Sequence, residues 1–194
     1  MALEHDLLNA IMDSKNMSVG GGSASALAGG MAAALVAMVA KLSINKNYGL
    51  ANKEYENIVK EADRLKTSLI KGAEDDANAY SLIIKAYRLP QVPLEEKSRR
   101  AKEIEKAYIE ATVVPQNNAL LARQIIEHCN LLEKNSNPSA ASDLKVAKLL
   151  AYAGLMGCLA NMQINIDSIK SKRVSLKLKE KLEDLKHSSK PPSV

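Results

Sequence analysis

The sequence predicts an all-α fold, a single-domain bundle of about six long helices, and three observations carry that prediction. Apolar residues make up 46% of the 194 residues, yet there is no Phe and no Trp. The core must then be built from Ala, Leu, Ile, Val and Met, which suits close-packed helices better than a sandwich of strands. Nine glycines and six prolines punctuate the chain, and most fall at the ends of long runs with helical periodicity. A chain of this length is most simply one domain with a substantial core. Residues 1–189 are assigned to it, and 190–194, with Pro191-Pro192 beside Lys190, form a tail expected to fray.

Each element has its own justification. Leu3, Leu7, Leu8 and Ile11 recur at helical spacing and set a short amphipathic helix ending near Ser14. Gly20-Gly21-Gly22 then turns the chain. Glycine allows φ > 0 and close approach to the backbone, and Ser23 stands where an N-cap belongs, at the positive end of a helix dipole. Free N–H groups at such a turn can hold an anion or a carbonyl. A tight turn into a close-packed helix, with no ligand, explains the same residues. The helix runs from about Ser23 to Ser43 with no charge before Lys41. Small on nearly every face, it belongs at the centre of a bundle or at a dimer interface.

A polar link near 45–52 leads to a long helix over roughly Asn52 to Leu89, where Tyr55, Ile58, Val59, Ala62, Leu65 and Leu69 keep one apolar stripe. Leu89-Pro90 ends it, because proline disfavours helix before itself. The next helix starts near Leu94 with Glu95 and Glu96 in its first turn, and runs toward His128 with an interruption or kink at Pro115. Asn135-Ser136-Asn137-Pro138-Ser139 is the clearest loop. A helix from about Ser139 to Asn165 and a basic amphipathic one close the domain.

The formal charge is +5, concentrated from Lys170 onward. No aromatic platform or recognition motif accompanies these lysines, so a solvated terminal helix is expected rather than a nucleic-acid binder. Cys129 and Cys158 lie in apolar helical surroundings and read as small hydrophobes in a reducing compartment. His5, His128 and His187 have no ligand-like spacing with Cys or acids, so no metal site is expected. The first residues are too acidic for a signal peptide, and the stretch from Ala24 to Ala40 is too short and too rich in small residues for a span. A cytoplasmic protein with no membrane partner is expected.

Several polar residues stand in apolar settings. Glu74-Asp75-Asp76 is a run of acids within a helix, fanning through about 200°, so at least one is expected to turn inward. A buried carboxyl has a raised pKa and can act as a general acid, whereas a solvated acidic patch is the plain alternative. Pro115 frees carbonyls near Ala111 for a ligand or water, or merely kinks the helix. Asn137 can cap a helix that begins with Pro138, and Asp143 suits its first turns. Asn161 and Asn165, one turn apart, must find partners within the protein or on a ligand.

These motifs, in this order, resemble the cyclodeaminase/cyclohydrolase family of folate enzymes. That family includes the C-terminal domain of the bifunctional formiminotransferase-cyclodeaminase and stand-alone methenyltetrahydrofolate cyclohydrolases. The matching residues are Gly20 to Ser23, Met38-Val39-Ala40, Asp76 with Ala79-Tyr80 ahead of Leu89-Pro90, and Glu95 to Arg100, read as a surface helix start. Further on they are Ala111 with Val114-Pro115, Asn137 with Ser142-Asp143, and Asn161 with Ile164-Asn165. Departures are Ser18-Val19 where a proline usually precedes the glycines, Gln116 after Pro115, Ser136 before Asn137, and Met162 for a valine.

The resemblance implies a homodimer acting on a reduced folate. Asp76 and Asp143 would be catalytic and share a cleft. Gly21, Gly22, Ser23, Lys46, Tyr80, Asn137, Asn161 and Asn165 would bind the substrate, with Lys46 on the folate tail. The implied reaction is cyclodeamination of 5-formimidoyltetrahydrofolate to 5,10-methenyltetrahydrofolate and ammonia, with no metal and no cofactor beyond the folate. Two alternatives remain: 5,10-methenyltetrahydrofolate cyclohydrolase, through the same tetrahedral carbon, and a non-catalytic helical interaction module.

Overall fold

A helix of alanine and glycine buries little area by itself, so larger side chains of its neighbours must reach it, and the fold is arranged to let them. The structure, a computed structural model, describes residues 2–187, with side chains from residue 6 onward. Among these the elements are α1 (Ala2–Met12), α2 (Gly21–Lys41), α3 (Asn52–Tyr87), α4 (Leu94–Leu132), α5 (Ala141–Asp167) and α6 (Lys172–His187), with a 3-10 turn at Pro138–Ala140. The all-helical class and the helix number are as expected. The tail at 190–194 lies outside the described residues.

Helix ends differ from the sequence expectation by a few residues. α1 stops at Met12 and α3 at Tyr87, while α4 reaches Leu132. Asn137 caps the 3-10 turn, its side chain accepting from the Ser139 N–H at 3.0 Å, so the regular helix starts only at Ala141. Two expectations at the glycine turn are corrected. The N-cap of α2 is Gly20, in extended backbone (φ −129°, ψ −153°), and not Ser23. No left-handed glycine is used there; Gly49 (φ 106°) is the positive-φ glycine among the described residues.

α2 packs against α3, α4 and α5. Ala26, Ala32, Ala33, Val36 and Ala40 of α2 are buried with Tyr55, Leu65 and Leu69 of α3, Ile125 and Leu132 of α4, and Ala147 and Ala151 of α5. A second cluster joins α4, α5 and α6 through Ala119, Ala122, Leu155, Leu159, Met162, Leu178 and Leu182. Cys129 and Cys158 are buried free thiols, each pushed up to about 12, chiefly by burial. The basic α6 lays Leu178, Leu182 and Leu185 on the bundle and turns its lysines outward, as an amphipathic helix does. Both α2 and the stretch Pro138–Asp167 have the length and hydropathy of a membrane span, and here both pack within the bundle.

α4 runs unbroken through Pro115, so of the expected interruption or kink the interruption does not occur. The proline cannot donate to Ala111 O. Asn165 of α5 supplies the missing donor, its Nδ2 lying 2.8 Å from that carbonyl. A buried carbonyl left unmet costs about 1–3 kcal/mol, so this bond offsets the internal proline.

α5 crosses α2 backbone to backbone. A Cβ at Gly154 would stand 2.7 Å from Ser25 O and 3.1 Å from Gly29 N. Helix propensity alone makes Gly→Ala favourable by about 1 kcal/mol, but neither backbone atom can give way. Gly154→Ala is therefore expected to lower unfolding free energy by about 1–3 kcal/mol, read by chemical denaturation. Gly21→Ala, whose Cβ meets nothing within 4 Å, is expected to leave stability unchanged or raised.

Candidate active site

In the acidic run Glu74-Asp75-Asp76 of α3, Asp76 turns to the interior side. Asp75 pairs with Lys71 at 2.8 Å on the surface. Asp76 instead lies against the first turn of α2: a Cβ at Gly22 would collide with Asp76 Oδ1 and Asn161 Nδ2. Glycine is required at 22 because two polar side chains occupy the space above its backbone. What approaches the glycine turn closely is thus the protein's own carboxyl and amide.

Asp76 Oδ1 accepts from Asn161 Nδ2 at 2.8 Å, and Asp76 Oδ2 lies 3.1 Å from Ser23 Oγ. Ser23 is fully buried, and its Oγ lies 2.8 Å from a second acceptor, Ala73 O. Burial pushes the Asp76 carboxyl above the usual carboxylate range, and the bonds from Ser23 and Asn161 pull it partly back.

The carboxyl opens into a cleft of about 210 Å³ lined by Gly20, Gly21, Gly22, Tyr80, Asn161 and Asn165, with Met17, Ser18, Ala79, Ile83 and Ala111 completing the wall. No Lys, Arg or His is among the lining residues. With Asn161 Nδ2 on Asp76 and Asn165 Nδ2 on Ala111 O, each amide oxygen remains as an acceptor. The site therefore offers one carboxyl and two amide oxygens to a cationic, N–H-bearing group, while the N–H groups of the helix start can donate to a carbonyl beside it.

The structure brings Asp76, Gly21, Gly22, Ser23, Tyr80, Asn161 and Asn165 together, with Ser23 beneath the surface rather than on it. Asp143, Asn137 and Lys46 are elsewhere. Asp143 lies near the opposite end of α5 from Asn161, about 27 Å along the axis at ~1.5 Å per residue. The cleft shared by Asp76 and Asp143 is thus not formed within one chain. Lys46 is exposed in the loop after α2, at the far end of that 21-residue helix from Gly20. Asn137 holds the same loop: its N–H donates to Ser43 Oγ at 2.9 Å and its Nδ2 to Leu42 O at 3.4 Å. It also lines a larger groove of about 520 Å³ with Glu133, Lys134, Lys145 and Lys148. That groove lies at the wrong end of the bundle for Asp76.

Sequence reasoning missed the wall residues Met17, Ser18 and Ile83. Ile83 was within reach, since 76, 79, 80 and 83 share one face of a helix. No local pattern marked Met17 and Ser18. Among the described residues no group of three or more His, Cys, Asp or Glu could hold a metal ion.

Residues 5–184 match the formiminotransferase-cyclodeaminase family. The methenyltetrahydrofolate cyclohydrolase of Methylorubrum extorquens is 33% identical over 86% of this chain and 80% of its own length. The formimidoyltransferase-cyclodeaminase of Gallus gallus is 26% identical over 80% of this chain, which spans only 29% of that longer protein. Among solved structures, a formiminotetrahydrofolate cyclodeaminase from Thermotoga maritima superposes with a TM-score of 0.78 at 26% identity, covering 88% of this chain and 82% of the other. With its glycine-seated carboxyl and paired asparagines set in this helical frame, the chain belongs to the formiminotransferase-cyclodeaminase family.

Proposed function

We propose that this chain is a one-carbon enzyme of reduced folates, closing 5-formimidoyltetrahydrofolate to 5,10-methenyltetrahydrofolate with release of ammonia. The observation that carries this reading is the partly buried Asp76 carboxyl in a cleft with no cation on its walls. The formimidoyl carbon belongs to an amidine, which is protonated at neutral pH, and the methenyl product is also a cation. A neutral or anionic cleft rich in acceptors matches both. Cyclodeamination needs N10 to attack the formimidoyl carbon and one proton to pass from N10 to the departing nitrogen. A single carboxyl that takes that proton and then gives it up suffices. No cofactor beyond the folate enters the scheme. The cytoplasm, where unpaired cysteines persist as thiols, is the compartment that fits.

A second reading is hydrolysis of 5,10-methenyltetrahydrofolate, with water attacking the same carbon and Asp76 accepting its proton. It is favoured by the 33% identity to a cyclohydrolase matched over most of its length.

The functional form is taken to be a homodimer. Met31 and Met38 on α2, with Met156 and Ile164 on α5, face outward, Ile164 at 68% exposure. On α5, Val146, Leu149, Ala153, Met156 and Ala160 follow coiled-coil spacing and stand exposed, with exposed Ile164 one residue beyond the next position. A second copy laid antiparallel on this face sets Asp143, Asn137 and Lys46 of one chain at the end where the other carries Asp76. That is how these residues would join the site.

Direct comparison of purified protein on 5-formimidoyl- and 5,10-methenyltetrahydrofolate, followed by the methenyl absorbance, decides between the two reactions. Turnover of neither refutes the reading. Asp76→Asn is expected to lower kcat about 10²–10⁴-fold with helix content unchanged by circular dichroism; wild-type turnover would remove Asp76 from the chemistry. Met31→Glu combined with Met156→Glu is expected to shift the sedimentation mass from dimer to monomer. A wild-type protein that sediments as a monomer contradicts the pairing.

A further inference from the structure

Ser23 Oγ lies between two acceptors and has one proton to give. Ala73 O is 2.8 Å away and Asp76 Oδ2 is 3.1 Å away. A carbonyl oxygen can only accept, whereas a carboxyl oxygen accepts when ionised and donates when protonated. Two arrangements of the same heavy atoms therefore satisfy every group. With Asp76 ionised, the hydroxyl turns to the carboxylate, since a bond to a charged acceptor is roughly twice as strong as one to a neutral carbonyl. Ala73 lies inside α3, where its carbonyl keeps the helical N–H from one turn on. With Asp76 protonated on Oδ2, the acid donates to Ser23 Oγ and the hydroxyl swings back to Ala73 O. Asn161 Nδ2 holds Asp76 Oδ1 in both cases.

The surroundings do not lock Asp76 in either state. On α5 the titratable neighbour is Cys158, whose buried thiol stays neutral. On α3 Tyr80 stands at the cleft wall, and Glu74 and Asp75 adjoin Asp76 in the helix, Asp75 paired with Lys71. The cleft residues of α2 and α4 are Gly21, Gly22 and Ala111, and the segment before α2 contributes Met17, Ser18 and Gly20, none of which titrates. No fixed cation lines the cleft to stabilise the carboxylate, so the choice falls to hydroxyl and amide donors.

We propose that Ser23 is a positioning residue, a rotating hydroxyl that donates to Asp76 Oδ2 when the carboxyl is ionised and accepts from it when protonated, so that Asp76 takes up and releases a proton without moving. The inference deepens the proposed reaction and rests on it, because a proton passing from N10 to the leaving nitrogen requires both states in each turnover. It also explains why a polar hydroxyl is fully buried in an otherwise Ala- and Gly-rich turn.

The test is the titration of Asp76 itself, followed by NMR of its side-chain carboxyl carbon and assigned by its loss in Asp76→Asn. Ser23→Ala removes a hydroxyl that serves both states but holds the charged one roughly twice as strongly, so the ionised form loses more and the midpoint is expected to rise by about one pH unit. The limb of the kcat–pH profile that Asp76→Asn abolishes should move up with it, with KM little changed. Ser23→Cys, a weaker donor of similar size, should give a smaller upward shift. An unchanged or lowered midpoint in folded Ser23→Ala or Ser23→Cys overturns the proposal, even where kcat falls. If neither folate is turned over but the midpoint rises, the hydroxyl pairing stands and the assigned reaction fails.

Discussion

α2 has few large side chains to bury, so its contribution to stability depends on how near its neighbours can come. Gly29 sits 3.1 Å, measured from an added Cβ, from a methyl of Leu69, and Gly154 of α5 rests on the α2 backbone itself. A fully buried leucine is worth about 1.5–3 kcal/mol, and Leu65, Leu69, Leu155 and Leu159 supply that burial from the surrounding helices. The same closeness creates the site. Because Gly22 has no side chain, α3 and α5 can set Asp76 and Asn161 directly over the first turn of α2. Core and cleft thus answer to one constraint, the absence of Cβ atoms where helices cross.

Polar groups in such a tight interior need assigned partners. Asn165 meets the carbonyl that Pro115 cannot, and Asn118 Nδ2 reaches Gly72 O at 3.2 Å, again at a glycine that leaves room for an amide. Ser43 holds the loop after α2 by donating to Val39 O and accepting from the Asn137 N–H. Apart from the local Ser43–Val39 bond, each ties one helix or loop to another rather than stabilising a helix internally. They fix rotation and register between helices that apolar contact alone would let slide.

The charge distribution separates two kinds of surface. Lys134, Lys145 and Lys148 gather at the groove beside Asn137, and α6 adds a solvated basic face. The Asp76 cleft carries no such residue. A net positive protein therefore draws anions toward its surface while keeping its carboxyl cleft suited to a cationic centre. A reduced folate has both features, carboxylates on its tail and a positive one-carbon unit on its ring.

By itself the sequence determined the helices, because prolines, glycines and the 3.6-residue stripe are local signals. It also placed Asp76, Ala79 and Tyr80 on one face and Asn161 with Asn165 on another, since spacing along a helix defines a face. The family resemblance added which of these faces bear chemistry. Neither source showed that Asp76 and Asn161 meet over Gly22, that Ser23 lies beneath the site rather than capping the helix, or that Asp143 stands far from Asp76 in the same chain. Those outcomes depend on which turn of one helix meets which turn of another. That register is set by backbone contacts such as Gly154 on Ser25 and by the amide bond across Pro115. Both join residues far apart in the chain, so no local pattern could record them.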